Sequence, residues 1–374
     1  MHGSLAQAFS PDYLAARSRF RAAASALGLR LESYTIGAAG PSGEDLTIDV
    51  TLGGVEGASR VVVISSGLHG VEGFFGSAVQ VALLEGGLAG WSPTSRVGLV
   101  LLHALNPFGF AWVRRVNEDN VDLNRNFLLH DETFAGSPAR YAHLDWLLNP
   151  RFAPSWLDPF VLKALLTILW YGMPELKQAV AGGQYDFPRG LFFGGHSPST
   201  TRRVLAEQLP RWIGDAGSVL HIDLHTGLGR WATSHLLLDR GIPEVRSERL
   251  KECFGADRVK YSDPVNGIDY RVRGGLGAWC QSLFPDRVYD LVCAEFGTYS
   301  PVWVLAALRE ENQAHQWGSP GDRATRDAKR RLMEAFVPRD KGWRAVVVAQ
   351  ALELIACAYG ADYSPHSCVI QRSR

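Results

Sequence analysis

Four β-branched residues in a row, Val61-Val62-Val63-Ile64, with no polar residue between them, restrict this chain more than any other feature. A strand that is apolar on both sides must be covered on both sides, as in a parallel sheet sandwiched by helices. The run breaks into Ser65-Ser66-Gly67-Leu68-His69-Gly70-Val71-Glu72, and ligand sites in such sheets lie just beyond the carboxyl ends of strands. His69 and Glu72, three residues apart on a turn freed by Gly67, Gly70 and Gly73, can converge on one ion. Zinc accepts such a nitrogen and oxygen set, and a catalytic site needs one further protein ligand and a position left for water.

The segments around this run alternate between strand and helix. Ser10-Pro11-Asp12 opens a helix, with Ser10 as its N-cap and Gly28 ending it. Residues 46–52 alternate as a strand, 74–84 have helical spacing and 96–103 form another apolar strand. The fold class that follows is α/β: a single doubly wound, mixed or parallel sheet flanked by helices. The chain reads as one catalytic domain over residues 1–374, with a helical and irregular insertion at about 130–200 and a helical C-terminal segment at about 300–374. Within the insertion, 141–148 and 159–182 look helical and 187–199 lacks periodicity; together they form a cap or rim. Helices at 302–317, 325–336 and 343–359 have apolar positions recurring at three and four, the mark of packing helices without chemistry of their own.

Composition excludes several classes. Lys+Arg and Asp+Glu both number 38, so no global field recruits nucleic acid or an anionic membrane. No basic stripe with aromatic platforms is present, and no apolar stretch reaches the roughly 20 residues of a membrane span. A serine hydrolase would carry a GxSxG elbow, which the chain lacks. The five cysteines, Cys253, Cys280, Cys293, Cys357 and Cys368, are odd in number and without CxxC spacing, and the N-terminus has no basic region followed by an apolar one. Both features point to reduced thiols and a cytoplasmic protein.

Three further stretches carry chemistry. Arginines, asparagines and acids crowd residues 114–127, directly after a buried strand, where they are costly to desolvate unless they bind something. An arginine fork there suits a carboxylate; the alternative is a loop laced with ion pairs. In Leu220-His221-Ile222-Asp223-Leu224-His225-Thr226-Gly227, strand periodicity puts His221, Asp223 and His225 on one face. His225, at the strand end, is best placed as the missing zinc ligand, whereas the deeper His221 reads as a satisfied core histidine. Glu295, in Cys293-Ala294-Glu295-Phe296-Gly297-Thr298, ends another buried strand; in a zinc site it would take a proton from the water and return it to the leaving amine.

His69-Gly70-Val71-Glu72, Asp122-Leu123-Asn124-Arg125-Asn126-Phe127, Asp223-Leu224-His225-Thr226-Gly227 and Glu295-Phe296-Gly297-Thr298, in that order, resemble the zinc carboxypeptidase (M14) superfamily. The likeness is to its DUF2817 branch, near the succinylglutamate desuccinylase and aspartoacylase group, and it covers about residues 40–340. The resemblance implies one Zn2+ per chain held by His69, Glu72 and His225, with Glu295 as general base. It implies that Asp122 orients the first zinc histidine, that Asn124 and Arg125 grip the substrate's free carboxylate, and that a loop arginine stabilises the oxyanion. Arg114 and Arg115 compete for that place, Arg115 being preferred and Arg114 then lying beside the substrate. Tyr270, four residues before Gly274-Gly275 and nine before Trp279, keeps the spacing of the superfamily's mobile substrate-binding tyrosine. No acid lies at Gly277 or Ala278, so a preference for basic C-terminal residues is not expected. The helical C-terminus also differs from the β domain of aspartoacylases.

The expected activity is metal-assisted hydrolysis of an amide whose leaving portion carries a free carboxylate, on a peptide or small-molecule substrate. Deacylation of an N-acyl amino acid, or cleavage of a specialised amide or ester, is the alternative within the same chemistry. A catalytically silent zinc module that binds peptide tails is the alternative outside it.

Overall fold

The computed structural model describes residues 5–88, 96–155, 157–172, 182–238, 242–261 and 273–360. One eight-stranded mixed sheet runs through them. Its strands are β1 (Arg30–Ala39), β2 (Asp45–Gly53), β3 (Arg60–Ser66), β4 (Val97–His103), β5 (Ser218–Thr226), β6 (Ser234–Leu238), β7 (Val259–Tyr261) and β8 (Val288–Phe296). They lie in the order β1-β2-β4-β3-β5-β8-β6-β7. The central four, β4, β3, β5 and β8, are parallel, while β2 runs antiparallel to β1 and β4, and β6 antiparallel to β8.

Around the sheet are α1 (Tyr13–Ala26), α2 (Gly73–Ala82), α3 (Pro107–Ala111), α4 (Tyr141–Leu148), α5 (Phe160–Tyr171), α6 (Thr200–Ile213), α7 (Glu244–Phe254), α8 (Leu276–Leu283), α9 (Pro301–Trp317), α10 (Arg323–Phe336) and α11 (Lys341–Gly360). The unalternated run in β3 is buried at every residue because both faces are covered. Val62 and Ile64 pack with Phe20 of α1, Phe75 and Val79 of α2 and Val347 of α11. Val61 and Val63 pack with Leu205 and Trp212 of α6 and Trp279 of α8. Each such buried side chain contributes about 1.5–3 kcal/mol relative to exposure. With β4 on one side of β3 and β5 on the other, the connections diverge at the carboxyl ends of these strands, which opens a crevice there.

Several elements differ from the sequence expectation. Asp12, not Ser10, caps α1, its side chain accepting from Ala15 N at 2.8 Å. β2 alternates in sequence yet is buried on both faces, because α1 lies over its polar side: Tyr13 Oη donates to Thr47 O at 3.0 Å and Arg21 pairs with Asp49 at 2.7 Å. Neither β1 nor α6 was anticipated. β1 is a half-buried edge strand, and α6 carries Pro210 in its last turn. In the insertion, α5 leaves Leu162, Leu166, Leu169 and Trp170 exposed, and residues 173–181 of the expected 159–182 helix lie outside the described residues. Among the described residues, α11 is long and apolar enough to cross a membrane by length and composition. Its Trp343, Val347, Val348, Ala351, Leu354 and Ile355 are buried in the core, as in a packing helix.

Candidate metal centre

The turn after β3 brings two side chains to the end of β5. Gly67 has φ +66, a left-handed conformation that lets the chain leave the strand sharply, and Gly70–Glu72 form a single helical turn. Gly70 N donates to Arg115 O at 3.0 Å and Val71 N to Arg114 O at 2.7 Å, so this turn is clamped backbone to backbone onto the loop after β4. A Cβ at position 70 would come 2.1 Å from the Gly109 carbonyl carbon. Gly70→Ala is therefore expected to cost about 1–3 kcal/mol of stability, read as a lower urea midpoint, and to move His69 with it.

His69, Glu72 and His225 are buried, with ligand atoms all within 4.8 Å of one another. Glu72 bridges the two rings: His69 Nδ1 lies 2.9 Å from Oε1 and His225 Nδ1 3.0 Å from Oε2, which also accepts from Thr226 N at 3.0 Å. On the far side of each ring sits another carboxylate. His69 Nε2 is 3.2 Å from Asp122 Oδ1, and His225 Nε2 is 2.5 Å from Asp223 Oδ2. Burial works against protonation of His225, but the Asp223 and Glu72 carboxylates outweigh it and hold the imidazolium well above its ordinary range.

This donor set fits zinc. Four buried carboxylates, Glu72, Asp122, Asp223 and Glu295, surround two imidazoles and the Arg115 guanidinium. A dication replacing the imidazole protons at Nδ1 would offset most of the remaining negative charge. His225 Nε2–H would then donate to Asp223, the arrangement that fixes a ligating histidine's tautomer.

Glu295, at the end of β8, pairs in register with His225. Its Oε1 accepts from Leu228 N at 2.8 Å. Burial, with the charge of Glu72, pushes its carboxyl up to about 7. Two residues earlier on the same face, Cys293 joins His225 and Glu295 in a second cluster of metal-ligand atoms; burial pushes its thiol well above the ordinary range. Cys293 and the partnership of Asp223 with His225 were missed from sequence. The period of two that aligns 223 with 225 and 293 with 295 was the available signal.

The loop after β4 divides its charges. Arg115 Nε donates to Asp122 Oδ2 at 3.0 Å, and its Nη atoms lie 2.7 Å from His69 Nε2 and 3.6 Å from Glu72 Oε1. Arg114 turns the other way, and the expectation that it contacts substrate does not hold. It is fully buried, donating to Glu311 at 3.0 Å, Asn120 at 3.0 Å and Asn312 at 3.3 Å, with Lys329 on Glu311 at 2.6 Å. The C-terminal helices α9 and α10 thus do more than pack: they anchor the loop that carries Arg115.

Asn124 and Arg125 are locked against the segment leading into α8. Asn124 Oδ1 accepts from Leu276 N at 3.1 Å, and Phe127 N donates to Gly274 O at 3.0 Å. Gly274 has φ +69 and approaches so closely that a Cβ would lie 2.2 Å from Arg125 O. Arg125 is buried; its Nη1 donates to Asn124 O at 2.7 Å, and its Nε has no partner among the described residues. Tyr270 lies outside the described residues.

No curated protein matches the chain. Among solved structures, it is similar to thrombin activatable fibrinolysis inhibitor, at 12% identity and TM-score 0.49, over 92% of this chain and 72% of that one. It is similar to carboxypeptidase A from Helicoverpa armigera at 13% identity and TM-score 0.43, over 87% and 73%. A succinylglutamate desuccinylase from Silicibacter sp. TM1040 aligns at 13% identity and TM-score 0.37, over 78% and 67%. The family model described as "Protein of unknown function (DUF2817)" matches residues 9–350, and the chain belongs to that family.

Proposed function

We propose that the chain is a zinc-dependent hydrolase of the carboxypeptidase (M14) type, cleaving an amide bond next to a free carboxylate. One observation carries the reading: a buried His69–Glu72–His225 cluster faces a separate buried carboxylate, Glu295, whose described hydrogen bond is from a backbone N–H. Three ligands plus an unligated base is the division of labour that metal-assisted hydrolysis needs. Zinc held by His69, Glu72 and His225 would supply Lewis acidity toward a water molecule and the scissile carbonyl.

The remaining work falls to side chains of this chain. Glu295, a buried carboxylate in register with His225, is suited to accept the proton of the attacking water and return it to the leaving nitrogen. Arg115, held by Asp122, is the cation beside the ligands and the donor for the developing oxyanion, a role worth about 3–4 kcal/mol. Asp122 and Asp223 orient the two histidines. Arg125, whose buried Nε has no partner among the described residues, and Asn124 receive the substrate's carboxylate.

Mass-spectrometric detection of products from a mixed panel of dipeptides and N-acyl amino acids tests this, using zinc-loaded protein with Glu295→Gln as the blank. Release from dipeptides makes the chain a carboxypeptidase, and release from N-acyl amino acids alone makes it a deacylase. If neither is cleaved in a Glu295-dependent way, the proposal fails for these substrate classes and the silent-module alternative gains.

A further inference from the structure

Strand register places a polar stripe behind the metal cluster, on the same face of the sheet. Ser65 of β3 lies opposite Asp223 of β5, and Asp223 opposite Cys293 of β8. His221 lies one strand-period deeper, and Tyr289 two periods before Cys293. These side chains form a continuous hydrogen-bonded series. Tyr289 Oη is 2.9 Å from His221 Nδ1, His221 Nε2 is 2.7 Å from Ser65 Oγ, and Ser65 Oγ is 2.5 Å from Asp223 Oδ1. The other oxygen of Asp223 meets His225 Nε2 at 2.5 Å.

The chemistry allows one direction through this series. Ser65 Oγ donates its single hydrogen to Asp223 Oδ1 at 2.5 Å, while the other carboxylate oxygen faces His225 Nε2. Ser65 must then accept from His221, which puts the His221 proton on Nε2. Burial lowers His221 to about 4, so it is neutral with a bare Nδ1, and that atom accepts a hydrogen bond from the Tyr289 hydroxyl. Every member is buried, and Tyr289 is covered by the stacked ring of Phe284 at 5.3 Å. Such a series does not reach water, which suits orientation rather than proton release.

We propose that Tyr289, His221 and Ser65 are positioning residues that hold Asp223 in the rotamer that presents His225 Nδ1 to the metal. This rests on the reading of His69, Glu72 and His225 as zinc ligands. A serine in an apolar strand and a core histidine thereby acquire a role that neither pattern announces. Anchoring through three strands makes Asp223 part of the sheet, so His225 stays aimed before any ion arrives.

The test measures zinc affinity by chelator competition, with unfolding midpoints of the metal-free proteins alongside. Wild type is expected to bind one zinc per chain and His225→Ala far less; if either fails, the ligand reading is wrong, independently of the relay. Ser65→Ala is expected to weaken zinc binding about ten-fold or more, and Tyr289→Phe to weaken it less in the same direction. Adding Ser65→Ala to Asp223→Asn should cause little further loss, because Ser65 acts through Asp223. A lower midpoint with unchanged zinc affinity in both Ser65→Ala and Tyr289→Phe would reduce the series to core packing and overturn the proposal. In the metal-free wild type, imidazole nitrogen NMR should find His221 neutral with its proton on Nε2; the Nδ1–H tautomer would also overturn it.

Discussion

Glu295→Gln is expected to lower kcat by about 10²–10⁴-fold while the protein still binds one zinc per chain. The amide matches the carboxylate in size and can still accept from Leu228 N, so the end of β8 stays in place. What it cannot do is take a proton. The substitution should also change stability in a pH-dependent way. In the metal-free protein the Glu295 carboxyl is raised from 4.5 to about 7, because burial and the neighbouring Glu72 charge disfavour ionisation. Below about 4.5 the group is protonated whether the chain is folded or not. Between 4.5 and 7 the unfolded chain ionises first and the folded state retains the proton, so stability falls as pH rises and levels off above 7. The loss comes to roughly 3 kcal/mol. Glu295→Gln has no such loss, so in chelator its stability advantage over wild type should open between pH 4.5 and 7. Urea unfolding at pH 5 and pH 8 reads it, and an advantage equal at both would mean that Glu295 is not the strained acid. Retained turnover would remove it as the base.

The strand ends were legible because their signal is local. Residues 61–72, 219–227 and 291–298 each carry a strand pattern that stops at a glycine two residues from a histidine or an acid, and a buried parallel strand leaves few other readings. Arg114 and Arg115 could not be told apart in the same way. They are adjacent in an irregular loop, and what separates them is Glu311, 197 residues away on α9, which claims Arg114. Ser65 and His221 belong with them. Their roles come from the registration of β3 against β5 and β5 against β8, which no single segment encodes. The missed edge strand β1 buries only part of one face, and so lacks the apolar density that makes a strand readable.

Arg125→Ala is expected to lower kcat/KM by about 10²–10³-fold for a substrate with a free carboxylate, and far less for the same substrate with that group amidated. Arg125 is buried, with one guanidinium nitrogen on Asn124 O and a buried Nε that has no partner among the described residues. An unsatisfied buried donor costs about 1–3 kcal/mol, so the folded protein carries a deficit that an anionic ligand would relieve. Removing one partner from a desolvated charge pair costs about 2–5 kcal/mol, because the substrate carboxylate is then stranded out of water. Arg125→Lys should recover only part of the loss, since an ammonium restores the charge without the planar fork. Steady-state kinetics on the acid and amide pair decides the matter. Equal losses on both would mean that Arg125 serves only to brace Asn124 and Gly274, and the carboxylate would then have to be read by another group.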